Sequence, residues 1–175
     1  IQLFTKNRDF DQMDIPFACV ACDLWAGKTK IFNSGKVYPA VRASMSIPGI
    51  FEPKWIDGVM YVDGGILDNV PVDAAKELGA DIVIGSDVCI HKAEPAEPSQ
   101  RLIDILYRAT DLLEYQANKH QLSQADVLIS PQVGFIDQFE VEKSAQCAEI
   151  GYETTLAKMD QIKECIYGRV DSEAV

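Results

Sequence analysis

One eleven-residue stretch constrains the fold of this chain more than any other: Tyr61-Val62-Asp63-Gly64-Gly65-Ile66-Leu67-Asp68-Asn69-Val70-Pro71. It sets an acid at the end of an apolar run and follows it with two glycines. Asp57-Gly58 just upstream is a two-residue hairpin signal, so 54–62 reads as two short strands that deliver Asp63 to the edge of a sheet. Gly64 and Gly65 then let the backbone turn sharply and leave room for another group to approach the carboxylate. An aspartate held this way is placed to act as a base. Taken alone, Asp-Gly-Gly is also an ordinary turn; its neighbours shift the balance toward a site.

The rest of the chain alternates strand and helix signals. Residues 15–24 read as a buried strand, and Ala26-Gly27 turns it toward a second strand at 28–32. A short helix is expected from Pro39 to Ser46, stopped by Pro48-Gly49, and another from Pro71 to Leu78, closed by Gly79. The continuous apolar run 82–88 has the pattern of a central strand buried on both faces. Lys92 to Pro98 is a polar connector, and Ser99 caps a helix reaching Gln124 with Leu102, Leu106, Ala109, Leu113 and Ala117 along one face. A last strand at 127–129 precedes a closing helix over 140–166, whose Val141, Ala145, Ala148, Tyr152, Leu156, Met159 and Ile162 form one docking stripe, with close packing expected at Gly151. The fold class is α/β: a layered mixed sheet with helices outside it.

Upstream of the acid lies Ala40-Val41-Arg42-Ala43-Ser44-Met45-Ser46-Ile47-Pro48-Gly49-Ile50-Phe51-Glu52-Pro53, and downstream Asp73 through Gly79-Ala80-Asp81 to Val88. With Asp63 these segments resemble the patatin-like phospholipase family, in the order Ala-Ser-x-x-x-Pro, Asp-Gly-Gly, Gly-Ala-Asp. The likeness begins at Ile15-Pro16-Phe17-Ala18, passes Asp23-Leu24 and Gly35, and continues more loosely through Ala125–Pro131 to Gly151-Tyr152, as in bacterial members. It implies a serine acyl hydrolase with a Ser-Asp dyad, in which Asp63 is the base acting on a lipid or other ester. Family members also carry a Gly-rich oxyanion segment and a Gly-x-Ser-x-Gly elbow. None of the eleven glycines here has another four places along, so no such elbow can be drawn. The expectation is therefore the C-terminal part, 1–175, of a single patatin-like catalytic domain. It would lack its N-terminal strands and elbow, be inactive alone, and have the N-terminal portion as its partner.

The chemistry is consistent with that implication. A serine hydroxyl attacks only when a base takes its proton, and Asp63 needs a desolvated setting to raise its pKa from about 3.9. No His lies in either motif, so direct Ser-to-Asp transfer is the economical reading, without cofactor or metal. Ser44 and Ser46 sit in a helix rather than on an elbow and suit packing or capping. Around Asp63, Asp68 and Asn69 are expected to bond the backbone of the turn. Arg42 either pairs with a carboxylate and steadies the helix above the site or is a surface charge.

Two rivals remain open. Asp23 and Asp87 end strands at what should be one edge of the sheet, and with Asp63 and Asp68 they would suit a divalent-metal phosphohydrolase. A non-catalytic interaction module is the other. The net charge of −11 excludes nucleic acid as a partner and disfavours electrostatic docking on an anionic membrane, so lipid contact would need an apolar surface. Five cysteines, an odd number, suit a reducing cytoplasmic setting, with peripheral membrane association as the alternative. Cys19-Val20-Ala21-Cys22 spells C-x-x-C, but residues three apart on a strand face opposite ways, and only His91 and His120 offer imidazoles. Uncovered strand surface at 15–20 and 82–88 would favour self-association of the isolated chain.

Overall fold

The computed structural model describes residues 2–89, 100–136 and 140–173. The chain divides into two compact units, Ile1–Gly79 and Ala80–Val175.

The first unit is built on a four-stranded sheet in the order β2-β1-β4-β3. Its strands are β1 (Cys19–Asp23), β2 (Lys28–Phe32), β3 (Lys54–Ile56) and β4 (Val59–Asp63), every pair antiparallel. The expected hairpin is present: Asp57 and Gly58 both take positive φ, 50° and 80°, the turn whose twist matches the strands it joins. Helix α1 (Val37–Ser44) lies over the sheet. Between them Ala21, Ala43 and Tyr61 are buried, with Phe32, Ile56 and Val59 packed around them. Phe32 meets Tyr61 edge-on at 5.2 Å. Phe10 packs with Val37 and Ala40 and stacks on Phe17.

Several boundaries differ from the sequence reading. The first strand covers only 19–23: Pro16 has no N–H to give a ladder, and Ile15 is 78% exposed. Helix α1 starts two residues before Pro39, which places the proline in the first turn, and it stops at Ser44, leaving Ser46 beyond its end. A four-residue helix α2 (Gly65–Asp68), read from the sequence as a turn, precedes α3 (Val72–Glu77). Cys19 and Cys22 are free thiols; burial raises both, Cys19 to about 12, which keeps them protonated and inert.

In the second unit β5 (Ile84–Ser86) runs parallel to β6 (Val127–Ile129). The central strand expected over 82–88 is not formed: β5 has three residues and one partner among the described residues, and Ile84 and Val88 are exposed. Val83 is tied down instead through its N–H to Asp126 Oδ2, 2.9 Å. Helix α4 (Leu102–Leu122) leaves its apolar face uncovered among the described residues, with Leu102, Leu106 and Leu113 all exposed; its buried residue is Asn118, whose amide donates to Glu114 O.

The closing helix is two helices, α5 (Ser144–Ala157) and α6 (Met159–Glu173). Thr154 and Thr155 bond back to the carbonyls of Ile150 and Gly151, a habit that bends helices, and the break follows at Lys158. A Cβ on Gly151 would meet nothing within 4 Å, so the close packing expected there is absent. Of the predicted stripe, Ile162 is buried, against Val127 and Ile129, whereas Val141, Tyr152 and Leu156 are exposed. The connector at 92–98 and the Ser99 cap fall outside the described residues. Sheets and helices mix in both units, and the α/β class expected from the sequence is the one observed.

Candidate active site

Asp63 is the last residue of β4, opposite Ala21 on β1. Its backbone is pinned from the far side: its N–H donates to the carbonyl of Ser46 at 3.0 Å, which ties the end of the strand to the loop after α1. Its side chain folds forward, Oδ1 accepting the Gly65 N–H at 2.8 Å. Oδ2 has no hydrogen-bond partner among the described residues, and the side chain is half-buried. Burial raises the Asp63 pKa above the ordinary carboxylate value, while the Gly65 N–H pulls the other way. The result is a carboxylate with one oxygen anchored and one left for a proton.

The two glycines work by space rather than by unusual backbone. Gly64 has φ −67° and ψ −26°, a conformation open to any residue, and Gly65 begins α2. A Cβ on Gly64 would lie 2.4 Å from the carbonyl oxygen of Val20 and 2.8 Å from its carbon, so only a bare Cα lets the turn lie against β1. At Gly65 it would lie 3.1 Å from both Asp63 Oδ1 and Asn69 Oδ1. The room expected beside the carboxylate is therefore real, and it is used by the carboxylate itself and by the Asn69 side chain.

Asp68 departs from the sequence reading. It is 5% exposed, its Oδ1 is buried with no hydrogen-bond partner, and its side chain does not bond the turn. Burial, aided by the negative charge of Asp73, pushes its pKa up to about 6. Among the described residues Arg42 meets no carboxylate. Its Nη1 donates to Ser46 Oγ at 2.5 Å, its Nη2 to Glu52 O at 3.0 Å, and its guanidinium lies 5.7 Å from the Phe51 ring centre. Ser46, fully buried, donates its hydroxyl to Arg42 O and so has no freedom to attack an ester. The sequence reading missed that Ser46 links Arg42 to the backbone of Asp63. The four-residue spacing from Arg42 along a helix run was the available signal.

Asp23 Oδ1 accepts Ala26 N–H and closes its own turn, and Asp87 belongs to the second unit, where its Oδ1 accepts Cys89 N–H. Among the described residues no three His, Cys, Asp or Glu side chains gather where a metal ion would fit.

Comparison with known proteins matches residues 23–76 to the model of the patatin-like phospholipases, a span that holds Asp63, both glycines, Asp68, Asn69 and Arg42. An uncharacterized NTE family protein of Mycobacterium tuberculosis is 39% identical over 90 residues, 51% of this chain and 25% of that protein. A patatin-like phospholipase domain-containing protein of Caenorhabditis elegans is 26% identical over an alignment covering 94% of this chain and 17% of its own length. A lysophospholipase of Phaeosphaeria nodorum is 37% identical over 82 residues, 47% of this chain and 5% of that enzyme. The matched stretches thus span a quarter or less of these relatives. Through residues 23–76 the chain is similar to the patatin-like phospholipases.

Proposed function

We propose that this chain supplies the general base, Asp63, of a lipid acyl hydrolase of the Ser-Asp type. It forms part of a larger catalytic domain whose nucleophilic serine and oxyanion loop come from residues outside these 175. The observation that carries the reading is the state of the Asp63 carboxylate: Oδ1 held by Gly65, Oδ2 unbonded among the described residues, and a pKa raised by burial. A serine hydroxyl at Oδ2 would pass its proton there as its oxygen attacks the ester carbonyl; the proton would then go to the departing alkoxide. The lysophospholipase among the relatives makes a phospholipid or lysophospholipid ester the natural substrate class.

The test uses the longer protein that carries both this chain and a Gly-x-Ser-x-Gly segment, assayed on lysophosphatidylcholine and a short nitrophenyl ester. Asp63→Asn keeps size and one acceptor oxygen but removes the base, and kcat falls by roughly 10²–10⁴-fold with the fold intact. The 175-residue chain alone gives background rates, and chelators leave the longer protein's rate unchanged. Equal turnover by wild type and Asp63→Asn refutes the assignment.

A further inference from the structure

Asp63 is held through its backbone by a bond that the sheet does not supply. Leu24 donates its N–H to Met60 O in line with the β1–β4 register, so alternate residues of β4, Met60 and Val62, turn their backbone groups toward β1. Asp63 turns its N–H to the other side, toward β3. The β3–β4 register pairs Lys54 with Tyr61, and continued by two residues it would set Glu52 O against the Asp63 N–H. Strand β3 begins only at Lys54, and these two groups find other partners. Glu52 O accepts Arg42 Nη2 at 3.0 Å, and the Asp63 N–H goes to Ser46 O at 3.0 Å.

One guanidinium lies behind this exchange. Ser46 sits past the end of α1, where its N–H donates to Ala43 O. Its hydroxyl takes, at 2.7 Å, the Arg42 carbonyl that its N–H would have used in a longer helix. Arg42 Nη1 reaches the same Oγ while Nη2 reaches Glu52 O, so the two arms close the loop 46–52 at both ends. The Phe51 ring lies beside the guanidinium, and Ser46 is fully buried. Both arms end on neutral oxygens, so what Arg42 contributes here is geometry rather than neutralisation of a charge. A lysine cannot do the same, because its ammonium is a single point and not a planar fork.

We propose that Arg42 and Ser46 are positioning residues for the base. The guanidinium holds the loop 46–52 so that Ser46 O stays on the Asp63 N–H, and with Gly65 on Oδ1 this fixes the direction of Oδ2. The proposal rests on the reading of Asp63 as the base and extends it to the groups that aim it. A reacting group misplaced by about 1 Å loses on the order of 10²-fold in rate, which sets the scale of the effect.

The test uses the longer protein that carries a Gly-x-Ser-x-Gly segment, with rates taken per folded molecule from the circular dichroism of each variant. Arg42→Lys lowers kcat by about 10–100-fold and leaves KM within about twofold. Arg42→Ala loses at least as much, and added methylguanidinium restores turnover to it but not to Asp63→Asn. Hydrogen exchange at the Asp63 amide speeds by about fivefold or more in both Arg42 variants, while the Val62 amide keeps its protection. Ser46→Ala, which removes only the hydroxyl, follows the same pattern and carries the test if the Arg42 variants fail to fold. Lys36→Ala frees the other end of α1 from Asp9 and leaves kcat as in wild type. Wild-type kcat in Arg42→Lys and Ser46→Ala beside an inactive Asp63→Asn overturns this proposal and leaves the base standing; an active Asp63→Asn overturns both. An equal fall in kcat for Lys36→Ala also overturns it, because it would reduce Arg42 to general support of the helix.

Discussion

Replacing Asp68 by Asn should stabilise this protein at neutral pH, although it removes a charged residue from the motif. The carboxyl is 5% exposed, its Oδ1 has no partner, and its pKa rises from 3.8 to about 6. A raised acid favours folding while protonated: that contribution is fully present below the unfolded value near pH 4 and is lost as pH rises through about 6. A rise of that size corresponds to about 3 kcal/mol of penalty on the ionised folded state at pH 7. Asparagine is neutral throughout, but its amide enters a site without a partner, which costs about 1 kcal/mol. The net gain is on the order of 1 to 2 kcal/mol at pH 7 and close to none near pH 4. Urea unfolding followed by tryptophan emission reads it directly, because Trp25, Trp55 and Asp68 share the first unit. The midpoint of the Asn variant should rise by roughly 1 M at pH 7. A lower midpoint at pH 7, or a gap that stays constant between about pH 4 and pH 7, refutes the reasoning.

Gly64→Ala drives a Cβ into the Val20 carbonyl, backbone against backbone, and should destabilise the first unit by about 2 kcal/mol or more, read by the same urea midpoint. Gly151→Ala, in the middle of α5 with nothing within 4 Å, should do the reverse, raising the helical circular-dichroism transition by up to about 1 kcal/mol. The exposed face of α4, with Leu106 53% and Leu113 69% exposed, should make the chain self-associate at high concentration; sedimentation velocity should show Leu106→Lys/Leu113→Lys shifting it toward monomer, with no change in tryptophan emission.

The parts of this fold legible in the sequence are those set by local chemistry. Asp57-Gly58 specifies its turn because both residues must take positive φ, and that turn fixes where β4 ends and hence where Asp63 stands. Gly79, at φ 91°, ends the run after α3 for the same kind of reason. Periodicity was a poorer guide. The stripes on α4 and α5 are present as spacings, but spacing states which residues share a face and not whether anything covers it, and Leu102, Leu113, Val141 and Tyr152 stay exposed. The apolar run 82–88 likewise shows only that a strand there tolerates burial. Within the candidate site, the acid and both glycines were legible, whereas the reason for Gly64 was not. It lies in the Val20 carbonyl, 44 residues upstream and brought close only by strand pairing. The Ser46 carbonyl that holds the Asp63 N–H was hidden for the same reason.

The two acids of the motif also show why pKa alone does not pick a base. Asp68, at about 6, is nearer a working pH than an ordinary carboxylate, and on that measure it would outrank Asp63. Its shift, however, comes from a setting that shuts it away: with 5% exposure and a buried Oδ1, no hydroxyl reaches it without opening α2. Asp63 is raised by burial too, but Gly65 stabilises its ionised form through Oδ1 while Oδ2 keeps its capacity for a proton. A base must be reachable during the attack, and of the two Asp63 is the less buried. Asp68 carries a cost of ionisation and no access. It therefore fits a role in the packing beneath the turn, which is why the proposed assignment expects Asp63→Asn to move kcat and Asp68→Asn to move the pH dependence of stability.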